Sequence, residues 1–176
     1  GIFRFMKLLC TLLPFTNNNY SSYLWAHKHK MNLIVSPQIN SEECIQKIKE
    51  AEPDLIISVS MNQIVKKEIL HMPKKKSINV HCAPLQKYAV MSPYVWALSN
   101  NEEYSAATIH YMEEGLDEGD VILQEKVFVN EKDSAFSLFY RCCIQASRQL
   151  LEVVEKFKSD NVTSSPQDLS QRSYFS

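Results

Sequence analysis

Leu55-Ile56-Ile57-Ser58-Val59 and Ser77-Ile78-Asn79-Val80-His81 decide the fold class. The first is a continuous, largely β-branched run of the kind buried on both faces of a parallel sheet. The second is a strand that ends in polar residues. Between them, residues around Val65 to Leu70 read as a short helix, followed by Pro73 and three lysines. Working outward, Leu33-Ile34-Val35 is a short apolar run ended by Ser36-Pro37 and reads as a strand. Asn40, with Glu43 three positions on, reads as the cap of a helix whose apolar face is Cys44, Ile45, Ile48 and Ala51. Pro93 to Leu98 reads as a further helix. Ala107 to Met112 and Val121 to Val129 read as late strands around the turn Gly115-Leu116-Asp117-Glu118-Gly119-Asp120. Asp133 reads as the cap of a long helix directing Phe136, Phe139, Tyr140, Cys143, Leu150, Leu151, Val154 and Phe157 toward the core. Strands alternating with helices over short connections indicate an α/β domain with a mostly parallel sheet. The expected organisation is one domain over residues 1–158, followed by a polar C-terminal tail over 159–176 that frays.

Composition narrows the class. A chain of 176 residues fits one ordinary domain, and 45% apolar content is enough for a core without disulfides. A net charge of −1 gives no whole-chain attraction to nucleic acid or membrane. The five cysteines, Cys10, Cys44, Cys82, Cys142 and Cys143, include no C-x-x-C pair and read as reduced thiols of a cytoplasmic protein. Lys7 followed by Leu8 to Phe15 looks like a short signal-peptide core, but Asn17-Asn18-Asn19 stands where a small-residue cleavage site belongs. The run is also too short to span a membrane. The expectation is a helix over Ile2 to Leu13 stopping near Pro14, a loop over Thr16 to Ser22, and a solvated strand entry carrying His27 and His29. Lys66, Lys67, Lys74, Lys75 and Lys76 read as a solvated loop, with phosphate contact as the alternative.

In α/β sheets ligands bind beyond the carboxyl ends of the strands. Asn79 and His81 stand there, two apart on one strand and so on one face. The Gly115 to Asp120 turn is the second candidate, since two glycines let its backbone come close to a ligand. A dinucleotide-binding reading fails, because no G-x-G-x-x-G follows any strand and the chain has three glycines.

Pro53-Asp54-Leu55-Ile56-Ile57, Ile78-Asn79-Val80-His81, Ser92-Pro93-Tyr94-Val95-Trp96-Ala97-Leu98 and Thr108 to Asp120, in this order and spacing, resemble the formyltransferase family. That family includes methionyl-tRNA formyltransferase, phosphoribosylglycinamide formyltransferase and the amino-sugar formyltransferases. The resemblance covers roughly Leu33 to Val129, and its Gly-Leu-Asp-x-Gly-Asp turn is closer to the tRNA and amino-sugar branches. It implies a Rossmann-like sheet, a 10-formyltetrahydrofolate donor, one-carbon transfer to an amine acceptor (aminoacyl-tRNA or a nucleotide-linked amino sugar), and no metal. It also implies that Asn79, His81 and Asp117 are catalytic. By the same mapping the folate ring lies between Met61-Asn62-Gln63-Ile64-Val65 and the loop of Met112, Glu113, Glu114, Gly115, Leu116 and Asp117.

The chemistry suits those residue types. An amine attacking the formyl carbon creates a negative oxygen to which an Asn79 N–H and a protonated His81 can donate, with Asp117 orienting the imidazolium. Cys82 beside His81 reads as a bystander. Two departures from the family stand out. The loop after the histidine, Ala83-Pro84-Leu85-Gln86-Lys87-Tyr88-Ala89-Val90, keeps only Leu85 and Tyr88 of the usual pattern. The family's first strand and glycine turn have no match, so the expectation is a chain lacking the first β-α unit.

Overall fold

The computed structural model describes residues 22–85, 87, 88 and 92–171. The expected helix over Ile2 to Leu13, and positions 86, 89 and 90 of the altered loop, lie outside them. The chain divides into two compact units, Gly1–Ser77 and Ile78–Ser176.

Within the first unit, α1 (Ser22–Lys28) occupies the segment expected to hold a loop end and a strand entry. Its aromatic residues stack on histidines four positions on: Trp25 lies 4.1 Å from His29 by ring centroids, and Tyr23 lies 6.4 Å from His27. Leu33 to Val35 forms no strand, and Val35 is exposed. A three-residue apolar run is too short to set a ladder without a partner. Helix α2 (Glu42–Glu50) is capped by Ser41, whose hydroxyl accepts from the Cys44 N–H at 3.3 Å. The expected cap, Asn40, instead donates to the Ile64 carbonyl at 2.8 Å and accepts from the Lys66 N–H at 2.9 Å. It therefore staples the loop after β1 (Leu55–Val59). Gln63 does the same from the other side, accepting from the Ile39 N–H and donating to the Pro37 carbonyl. A four-residue helix α3 (Lys67–Leu70) then leads to β2 (Lys76–His81), and the Ser77 hydroxyl donates to the Leu70 carbonyl.

In the second unit, β2, β3 (Tyr104–Tyr111) and β4 (Val121–Phe128) are hydrogen-bonded neighbours in that order. Both pairings are antiparallel, with Asn79 opposite His110 and His81 opposite Thr108. The α/β alternation suggested mostly parallel pairing, but here the short 112–120 turn between β3 and β4 returns the chain beside itself, as hairpin connections do. A bulge interrupts β3–β4 between Ile109 and His110, where His110 pairs with Val121.

Helix α4 (Pro93–Ser99) starts with proline at its first turn, where a missing N–H costs nothing. Helix α5 (Ala135–Lys158) packs on β3 and β4. Its cap is Ser134 rather than Asp133: the Ser134 hydroxyl accepts from the Ser137 N–H at 3.2 Å, and the Ser137 hydroxyl accepts from the Ser134 N–H at 3.0 Å. Asp133 instead takes the Ser137 hydroxyl and the Arg141 guanidinium. The buried face of α5 is Leu138, Cys142, Ala146, Gln149, Val153, Val154 and Phe157. Phe136, Tyr140 and Leu151, expected in the core, are exposed. The helix carries apolar residues on nearly every side, so periodicity alone finds only part of the buried stripe, Val154 and Phe157. Leu138 and Cys142 join Ala97 and Val127 in the core of this unit, each large side chain there contributing about 1.5–3 kcal/mol of burial.

Within the described part of the expected tail, the chain bonds back to the start of β4. Ser165 pairs with Val121 through two backbone bonds of 2.9 and 2.8 Å, and a short 3-10 turn, Leu169–Gln171, follows.

Candidate active site

Asn79, His81, His110 and Asp117 form one cluster inside the second unit. Strand alternation puts Asn79 and His81 on one face of β2, and the antiparallel register puts His110 directly across from Asn79. The bulge beside His110 is a device often found where a strand must re-aim a functional side chain. Asp117 arrives from the β3–β4 turn.

That turn has a strained backbone. Asp117 has φ 52°, the left-handed region, which costs a non-glycine residue about 1–2 kcal/mol and is best tolerated by Asp and Asn. Gly119 is required by closeness: a Cβ there would fall on the carbonyl of Tyr111. The Tyr111 N–H closes the turn on the Asp120 carbonyl at 3.0 Å.

The carboxylate is shared three ways. Asp117 Oδ1 accepts from Asn79 Nδ2 at 3.2 Å and lies 3.4 Å from His110 Nε2. Asp117 Oδ2 lies 3.7 Å from His81 Nδ1. His81 and Asp117 retain only 11% side-chain exposure each, and His110 retains 2%. Burial pushes the Asp117 carboxyl up, but the His110 hydrogen bond, the charges of His81 and His110, and the Asn79 amide outweigh it, leaving its pKa below the ordinary value. For His81 burial dominates and lowers the imidazole pKa; Asp117 and the Tyr88 carbonyl pull the other way without overcoming it. Burial thus favours the neutral imidazole, whereas the expectation from sequence has the protonated form as a donor.

Hydrogen bonds assign the tautomers. His81 Nε2 donates to the Tyr88 carbonyl at 3.0 Å, leaving the Nδ1 lone pair on the Asp117 side. Tyr88 has φ 55° and is buried; its hydroxyl donates to Glu102 at 2.6 Å and accepts from Asn100 at 3.1 Å. His110 Nδ1 donates to the Tyr111 carbonyl at 2.7 Å, and its Nε2 lies 3.2 Å from Asn79 Nδ2 and 3.4 Å from Asp117 Oδ1. The Asn79 amide nitrogen thus meets both the imidazole and the carboxylate. The loop leaving His81 is held by buried Thr108, whose hydroxyl lies 2.6 Å from the Ala83 carbonyl and 2.8 Å from Gln124 Oε1. Gln124 in turn accepts from the Leu85 N–H at 2.9 Å.

The three residues expected from sequence, Asn79, His81 and Asp117, are thus brought together. His110 was missed as a site residue. Its signal was a histidine in the run Thr108 to Met112, which gains meaning only once the β2–β3 register places it opposite Asn79. Of the expected donor-contacting residues, Met112, Glu113, Glu114, Gly115 and Leu116 lie in the Asp117 turn, with Leu116 exposed. Met61, Asn62, Gln63, Ile64 and Val65 lie in the first unit after β1, where Ile64 is exposed and Val65 buried. Among the described residues no group of three or more His, Cys, Asp or Glu could hold a metal ion, and no helix is long and apolar enough to cross a membrane.

An amide, two imidazoles and a carboxylate thus converge near the end of β2. Residues 17–154 match the family described as formyl transferase, and the chain belongs to that family. It is similar to the methionyl-tRNA formyltransferase of Clostridium novyi (strain NT), with 37% identity over 134 residues covering 76% of this chain and 43% of that protein. The chain therefore spans less than half the length of this relative. An N-formyltransferase from Helicobacter canadensis, solved in complex with folinic acid and dTDP-3-aminofucose, superposes with a TM-score of 0.74 at 21% identity, covering 88% of this chain and 54% of that one. Glycinamide ribonucleotide transformylase 1 from Symbiobacterium toebii gives 0.71 at 21% identity, with coverages of 84% and 71%. These likenesses establish the formyltransferase fold.

Proposed function

We propose that this chain carries the catalytic half of an enzyme that moves a formyl group from 10-formyltetrahydrofolate to an amine. The observation that carries the reading is the convergence of Asn79 and His81 on the Asp117 carboxylate, through contacts of 3.2 and 3.7 Å. In the reaction the acceptor nitrogen attacks the formyl carbon, forming a C–N bond while the carbonyl electrons move onto oxygen. An Asn79 N–H leaves His110 or Asp117 and donates to that oxyanion. Neutral His81 takes the proton released by the attacking amine, and Asp117 stabilises the resulting imidazolium. Collapse of the intermediate breaks the bond to the folate nitrogen, which leaves with the proton held by His81.

In this reading the turn Met112 to Leu116 serves the donor, because its backbone groups suit the polar edge of a pterin. The acceptor class is an aminoacyl-tRNA or a nucleotide-linked amino sugar. Similarity to a methionyl-tRNA formyltransferase supports the first. Structural likeness to a protein solved with a dTDP-amino sugar makes the second the natural comparison. The cytoplasm, where folate donors are available, is the expected location.

The test incubates the chain with 10-formyltetrahydrofolate and each acceptor in turn, following tetrahydrofolate release and the mass of the acceptor. A gain of one formyl group on either acceptor supports the reading. A second reading, a domain that binds folate without turnover, is favoured by the altered loop Ala83 to Val90. Calorimetric binding of a 5-formyl folate with no product from either acceptor would select it.

A further inference from the structure

Residues after α5 return to the catalytic turn. Ser165 forms a two-bond antiparallel bridge with Val121, the first residue of β4. Pro166 follows, and a residue preceding proline favours the extended backbone such a bridge needs. The Ser164 hydroxyl donates to the Asp120 carboxylate at 3.2 Å. Gln167 then places its side-chain nitrogen 2.9 Å from the carbonyl oxygen of Asp117 and 2.6 Å from that of Gly119. A primary amide has two N–H donors, and here each finds one carbonyl. The two carbonyls flank Glu118, in the turn whose left-handed Asp117 has to be held from outside.

We propose that Gln167 is a positioning residue: by gripping the Asp117 and Gly119 carbonyls it holds the Asp117 carboxylate against Asn79, His81 and His110. The role rests on the formyl-transfer reading of that cluster, while the grip itself is independent of it. Strand β4 fixes one end of the turn, the β3 terminus fixes the other, and Gln167 fixes its middle. A side chain without N–H donors leaves both carbonyls without this partner and lets Asp117 relax from φ 52°. Its carboxylate then moves off His81, and a displacement on the order of 1 Å can cost about 100-fold in rate.

Gln167→Met keeps length and neutrality and removes only the donors. In the whole chain without substrates, the His81 imidazole is titrated by NMR, its resonance assigned by loss in His81→Asn. Loss of the neighbouring carboxylate lowers the His81 midpoint in Gln167→Met relative to the unmutated chain. The kcat for formyl transfer falls about tenfold or more, with the KM for the folate donor nearly constant. An unchanged midpoint together with unchanged kcat overturns the proposal. If the unmutated chain transfers no formyl group, the titration alone decides: a lowered midpoint sustains the grip while the catalytic reading fails. If Gln167→Met does not fold, hydrogen exchange of the unmutated chain decides. Protection of the Val121 and Ser165 amides comparable to the β3–β4 ladder supports the strap, and exchange at the rate of an open chain overturns it.

Discussion

His110 Nε2 lies 3.4 Å from Asp117 Oδ1 and 3.2 Å from Asn79 Nδ2, so one buried imidazole touches two of the three expected catalytic groups. With its Nδ1 bonded to the Tyr111 carbonyl, this ring is held against both the Asn79 amide and the Asp117 carboxylate. Replacing it by His110→Leu removes both contacts and leaves the partly buried Tyr111 carbonyl with one partner fewer. The expected result is a fall of up to about 100-fold in kcat, with the KM for donor changed much less. Steady-state kinetics on the purified variant check it, and wild-type kcat in a folded His110→Leu protein would remove the positioning role.

Asn79 and Asp117 take larger losses, because both act on charge that exists only during the reaction. Asn79→Ala deletes the oxyanion donor and is expected to lower turnover about 100- to 1000-fold. Asp117→Asn keeps the shape of the turn but deletes the charge opposite His81, with a loss of similar order expected. Circular dichroism should show both folded, since neither side chain belongs to the core of the unit. Turnover within a factor of two of the parent for either variant would strip that residue of its role.

What sequence could show follows from the range of each interaction. Leu55–Val59, Lys76–His81, Pro93–Ser99 and Val121–Phe128 are set by runs and caps within a few residues, and they stand close to where the residues suggest. Asn79 and His81 were legible because alternation along one strand is local. His110 was not, because its role comes from a register with a strand 31 residues away. Asn40 fails as a cap for the same reason: its amide is claimed by Ile64 and Lys66. The polar segment after α5 lacks apolar periodicity and so reads as frayed, yet its bonds are to backbone groups of a turn 48 and 50 residues earlier. The parallel pairing suggested by alternation gives way in β2–β3–β4 because strand direction depends on how the connections return, which hydrophobic pattern does not encode.

The two glycines of the turn should respond differently to the same added methyl group. At Gly119 the new carbon meets backbone, the Tyr111 carbonyl, so the turn itself must shift. Gly119→Ala is expected to cost about 1–3 kcal/mol of stability, the range for overpacking, and to lower turnover through the displaced Asp117. At Gly115 the atoms nearest the new carbon belong to the Glu118 carboxylate, the far end of a flexible side chain. Gly115→Ala should stay within about 0.5 kcal/mol, as surface substitutions do. Denaturant melts of the pair check the contrast, and equal midpoints would show that the close approach at Gly119 is not maintained in solution.

Acid should destabilise the chain in a window set by His81. In the unfolded chain His81 titrates near its ordinary value of about 6.5, whereas in the folded protein burial holds it lower. Between those two values the unfolded state binds more protons, so stability falls as pH falls. The contribution is fully present above about pH 6.5 and is lost as pH drops through the folded His81 pKa. Asp117, also lowered, acts in the same direction but only below its ordinary value of 3.8, which separates the two effects on the pH axis. Thermal midpoints of the parent and of His81→Asn, measured from pH 8 to pH 5, are expected to run parallel above about pH 6.5. Below it the parent should decline more steeply, since the variant has no imidazole at this position to protonate. Parallel curves throughout would mean that the folded protein protonates His81 as readily as the unfolded chain does. The neutral resting imidazole on which the proposed proton transfer depends would then be lost.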